Sequence, residues 1–132
     1  MELFEFSFEE QERSVITTPL QSQIQDLESI PIPDRSLIDY ELFTSKIGIS
    51  MVTNTIVMQA TRGCPYQCAY CHKIWPKNHV RRSPEHIFKE LKLYYDMGYR
   101  RFAFIDDIFN LDKVNSSRFF QMILDNNMKV HI

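Results

Sequence analysis

Cys64, Cys68 and Cys71 are the only three cysteines of the chain, and they lie within eight residues of one another. Thiols this close suit a soft metal better than a disulfide, and an odd number cannot pair completely within one chain. Thiolates hold iron–sulfur clusters or zinc, and a cubane cluster usually takes four cysteines. Three protein thiolates therefore leave one position open, which chemistry at a metal requires and a structural site does not. Zinc is the alternative, with His72 as fourth ligand; its place beside Cys71 makes tetrahedral geometry awkward. A second chemical group is the carboxylate pair Asp106 and Asp107, which reads either as a ligand site or as a strand-end turn feeding a helix cap.

The surrounding pattern places these groups. Thr55 to Ala60 is β-branched and apolar on both faces, as in a strand buried on both sides. After the cysteine loop, Ser83-Pro84-Glu85 supplies a helix cap, a first-turn proline and an acid at the positive dipole end. Ile87, Leu91, Tyr94 and Tyr95 recur at helical spacing, and Gly98 stops the helix. Arg101 to Asp106 is a second strand. Asp112 caps a second helix carrying Val114, Phe119, Phe120, Ile123 and Leu124. Asn126-Asn127 marks a turn, and Met128 to Ile132 begins a third strand. Strand–helix alternation predicts βαβ units with a parallel sheet, whose ligands bind at the carboxyl ends of the strands. The cysteines follow the first strand and Asp106-Asp107 close the second, so both fall on one rim.

Residues 1 to 45 read as an arm and linker, and residues 46 to 132 as the start of an α/β domain. Met1 to Glu10 alternates like an edge strand, Gln21 to Ile30 has loose helical spacing, and Ile30 to Arg35 is a proline-stiffened connector. The first part holds ten acidic and two basic residues, the second seven acidic and thirteen basic. The basic surplus includes Lys73, Lys77, Arg81 and Arg82, either a loop for anionic ligands or a solvated loop. It lacks the density and aromatic interleaving of a nucleic-acid surface. No apolar run approaches the roughly 20 residues of a membrane helix. The acidic N-terminus is no signal peptide, and unpaired thiols suit a reducing compartment, so the cytoplasm is expected.

At the residue level, Cys64, Cys68 and Tyr70-Cys71 resemble the Cys-x3-Cys-x-aromatic-Cys motif of the radical S-adenosylmethionine superfamily. Ala60-Thr61-Arg62-Gly63-Cys64-Pro65 is similar to its subgroup associated with a cobalamin-binding domain. So are Ile32 to Asp39, as a domain linker, and Phe104 to Asn110, as a strand end. The resemblance covers roughly residues 30 to 132. It implies a partial parallel (β/α) barrel, truncated after about three strands. It further implies a 4Fe–4S cluster on Cys64, Cys68 and Cys71, with S-adenosylmethionine beside Tyr70, Asp106 and Asp107. The expected chemistry is reductive cleavage to a 5′-deoxyadenosyl radical, for cobalamin-linked methylation or another radical modification, with any cobalamin held by a domain absent from this chain. A flavodoxin or ferredoxin would supply the electron to modify a small-molecule or peptide substrate. The aspartates stand where the superfamily often has a Gly-Gly-Glu-like stretch. A non-catalytic cysteine-rich metal module is the competing expectation. For Tyr70 the plain alternative is aromatic packing beside the loop. His72, Trp75 and His79 read as loop packing or substrate contacts, His86 and His131 as structural, and Arg62 as a partner for local carbonyls or a carboxylate.

Overall fold

The computed structural model describes residues 24–38, 54–71 and 78–132. The expected N-terminal edge strand, and His72, Lys73, Trp75 and Lys77, lie outside these residues. The framework is a parallel pair, β1 (Thr55–Met58) and β4 (Arg101–Phe104), in register from Thr55 opposite Arg101 to Met58 opposite Phe104. Helix α1 (Pro84–Asp96) makes the crossover between them, and α2 (Lys113–Asp125) follows β4. A second, antiparallel sheet joins β2 (Thr61–Arg62) to β3 (Val80–Arg81).

Local chemistry explains both helices. Ser83 Oγ accepts from His86 N at the head of α1, Pro84 occupies the first turn, and Gly98 takes φ +103° just past the end. Asp112 accepts from the backbone N–H groups of Val114 and Asn115 at the head of α2. Asn127, at φ 50°, makes the turn after α2, a conformation Asn tolerates better than most residues.

The two helices cover one face of the parallel pair. Ile56, Met58 and Phe102 pack with Ile87, Leu91 and Tyr94 of α1 and with Phe119 and Ile123 of α2. Full burial of each such side chain contributes about 1.5–3 kcal/mol. The exposed ion pairs Lys92–Asp96 and Arg118–Glu85 contribute at most about 1 kcal/mol each, so the apolar core dominates. Rings of Phe104, Phe109 and Phe119 close the end of the core, with Phe104 stacked on Phe109 at 4.5 Å.

Several expectations are corrected here. The architecture is α/β, but a truncated barrel is not shown. The third strand appears as a single parallel bridge between Arg101 and His131, held by Phe102 N donating to His131 O and His131 N to Arg100 O. Of the apolar residues that α2 carries, Phe119 and Ile123 are buried, whereas Phe120, Leu124 and Val114 are 42%, 67% and 81% exposed. The helical spacing before Ile30 yields one 3-10 turn, Leu27–Ser29, because Asp26 caps it and the prolines that follow hold the chain extended.

Residues 27–37 form a strap along the edge of β1 that, among the described residues, pairs with no strand. Arg35 Nη2 donates to Val57 O, Tyr94 Oη to Pro33 O, and Ser83 N to Glu28 Oε1. The Arg35 guanidinium also lies 5.1 Å from the Tyr94 ring centroid. An uncovered strand edge invites unwanted pairing, and the strap closes this one.

Candidate functional site

The carboxyl ends of β1 and β4 leave the sheet together, since Ile105 N donates to Met58 O at 3.1 Å. The chain after β1 then turns through β2 to Gly63, at φ +89°, a conformation that suits glycine. The chain after β4 reaches Asp106 and Asp107 at once. Asp106 Oδ1 accepts from Ala60 N at 2.9 Å and Thr61 N at 2.6 Å. Asp107 Oδ2 accepts from Gly63 N at 3.0 Å. Thr61 Oγ1 donates to Ile108 O, which His79 Nε2 also approaches at 3.2 Å. Two carboxylates thus tie the approach to the cysteine loop onto the end of β4.

Asp106 sits in an electrostatic conflict. Burial pushes its carboxyl above the usual aspartate range, opposed by the backbone N–H groups of Thr61 and Ala60 and more weakly by His79. Among the described residues its Oδ2 is buried and accepts no hydrogen bond. Asp107 is exposed, with one oxygen engaged by Gly63.

The other expected site residues are placed as follows. Cys64 is half-buried, whereas Cys68 and Cys71 are exposed, and none of the three is in a disulfide. Cys71 N donates to Cys68 O, which makes a turn of this stretch. Tyr70 is 93% exposed, so packing against the described residues does not explain it. His86 Nδ1 accepts from Arg82 Nε, and Arg62 Nη2 donates to Gln59 Oε1, the side-chain amide carbonyl three residues before it.

Sequence reading missed one ionic element. Arg82, counted only within a basic loop, is buried against Glu90 of α1 at 2.6 Å. Its guanidinium also donates to Gln59 O and His86 O, and its own carbonyl accepts from Asn115 Nδ2. The available signal was Glu90 itself, an acid set between Ile87, Leu91 and Tyr94 on an apolar face, where a buried charge needs a partner.

With this geometry in hand, the chain compares with known proteins as follows. It is 31% identical over 98 residues to a Pyrococcus horikoshii protein named an uncharacterized methyltransferase, covering 72% of this chain and 20% of that protein. It is 30% identical over 93 residues to a similarly named Synechocystis protein, covering 68% of this chain and 16% of that one. The chain spans about a fifth or less of these relatives. No family model and no solved structure matches it.

These findings correct the expected radical S-adenosylmethionine identity and its chemistry. The relatives are named as methyltransferases, and no family model places the chain in that superfamily. Among the described residues no group of three or more His, Cys, Asp or Glu side chains is arranged to hold a metal ion. Neither the expected iron–sulfur cluster on Cys64, Cys68 and Cys71 nor the zinc alternative is shown, and nothing supports cobalamin. Among the described residues no helix is long and apolar enough to cross a membrane.

Proposed function

We propose that this chain is part of an S-adenosylmethionine-dependent methyltransferase and that the cofactor binds at the rim joined by Asp106 and Asp107. The observation that carries the reading is the relationship to proteins named methyltransferases. A match covering 72% of the chain, wherever it begins, includes residues 64–71. The position of the rim supports the placement, because ligands of parallel α/β sheets bind beyond the carboxyl ends of the strands.

Each residue has a distinct part in this proposal. Asp106 is a positioning residue: it fixes the N–H groups of Ala60 and Thr61 and so sets the path of the following loop. Asp107 offers its second oxygen to a cationic or hydroxyl group of the cofactor, a charge-assisted bond. Tyr70 supplies an exposed ring for the adenine face. Cys64, Cys68 and Cys71 lie on the loop that leaves this rim after Gly63 and form no disulfide. When bound, S-adenosylmethionine supplies the electrophilic methyl group; the protein supplies its orientation.

The test is titration calorimetry of the full-length protein with S-adenosylmethionine, paired with a methyl-labelled transfer assay. Saturable binding is expected, weakened about tenfold by Asp107→Asn, the effect of one charged hydrogen bond. Absence of binding at millimolar cofactor overturns the proposal.

A further inference from the structure

A cavity of about 270 Å³ lies between the strap and the β1 edge. Its apolar lining comes from Ile30, Pro31, Ile32 and Pro33 of the strap and from Val57, Met58 and Ile105. The volume is near the lower end of the roughly 300–1,000 Å³ range of small-molecule sites. Its charged lining is one-sided. Three guanidinium groups, Arg35, Arg62 and Arg82, meet one carboxylate, Glu90. Glu90 is already matched by Arg82. Arg35 is occupied by Val57 O and the Tyr94 ring. Arg62 differs: it is half-buried and, among the described residues, its side chain donates to the neutral amide oxygen of Gln59 and forms no ion pair.

A half-buried cation without a counter-charge beside apolar walls favours a ligand that brings the missing anion. We propose that this cavity binds a small carboxylate with an apolar body, with Arg62 as the anion anchor and Ile30, Ile32, Val57 and Ile105 enclosing the hydrocarbon. The strap thereby acts as one wall of a ligand site as well as a cover for the strand edge. Binding here does not depend on methyl transfer, and its outcome is separable from cofactor binding at the rim.

Octanoate and 1-octanol are the probes, measured by equilibrium dialysis against the full chain. They share the hydrocarbon and differ in the charged head. Octanoate is expected to bind at least about tenfold more tightly than 1-octanol, the effect of a charge-assisted bond. Arg62→Met keeps the apolar stem and is expected to abolish that preference while 1-octanol binding persists. Ile32→Asp, on the surface strap, places a like charge in the cavity and is expected to weaken octanoate at least about tenfold. Circular dichroism reports the fold of each variant. If Arg62→Met does not fold, the Ile32→Asp result decides. Equal affinity for the two probes, no binding of either, an octanoate preference that survives Arg62→Met, or unchanged octanoate binding in Ile32→Asp overturns the proposal.

Discussion

Replacing Asp106 by alanine tests the join between the two rim segments. Its Oδ1 accepts from Ala60 N and Thr61 N, and those residues are only 1% and 4% exposed. Water cannot readily replace the lost acceptor, so two N–H donors are orphaned at about 1–3 kcal/mol each. Relief of the buried Oδ2, unpartnered among the described residues, offsets part of this. The expected net loss is about 2–4 kcal/mol, read from urea unfolding followed by far-ultraviolet circular dichroism, with the slope unchanged. A loss below about 1 kcal/mol would refute the reasoning. Asp106→Asn isolates the charge. Burial raises the native carboxyl above the ordinary value of about 3.8. The folded state thus favours the neutral acid, a contribution present below that value and lost as pH rises through the raised one. The stability of Asp106→Asn relative to the parent is therefore expected to grow with pH across that window and stay flat below it. The opposite slope would show that the N–H groups outweigh burial.

Other perturbations read the remaining supports. Arg82→Met leaves Glu90 buried without a counter-charge and is expected to cost about 3–5 kcal/mol. Glu90→Gln keeps the shape and is expected to cost less; equal losses in denaturant unfolding would contradict this. Tyr94→Phe removes the bond to Pro33 O and is expected to cost about 0.5–1 kcal/mol. It should also speed tryptic cleavage at Arg35, measured by mass spectrometry, and an unchanged rate would show that this bond does not hold the strap. Among the described residues Gly98→Ala meets no atom within 4 Å at the new Cβ, so its expected cost of about 1 kcal/mol in thermal unfolding is backbone strain at φ +103°.

The elements that could be read from sequence were those fixed by neighbouring residues. Ser83 before Pro84, Gly98 after Met97 and Asp112 before Lys113 each satisfy orphan helix groups locally, so the ends of both helices were legible. The parallel pair followed from alternation. The antiparallel pair of β2 and β3 did not, since two-residue strands are too short to carry a period. The third strand is reduced to one bridge because pairing depends on distant contacts, not on the apolar character of Met128 to Ile132. The strap is likewise non-local: Tyr94 Oη reaches Pro33 O across 61 positions.

At the rim, placing the cysteine approach and Asp106-Asp107 together was legible from the strand order. The aspartates' engagement with Ala60, Thr61 and Gly63 was not, because a side-chain bond to a backbone N–H leaves no spacing signal. The metal chemistry read from the cysteines was drawn from residue type and spacing. Those features do not specify side-chain direction, and the described thiols range from half-buried to exposed.

Hydrogen–deuterium exchange on the full-length protein, with and without S-adenosylmethionine, tests the central claim most directly. The cofactor is expected to slow exchange in peptides spanning residues 60–71 and 105–109, leaving α2 unchanged. Binding that slows exchange only elsewhere, or saturating cofactor that slows none, would contradict the placement of the site at this rim.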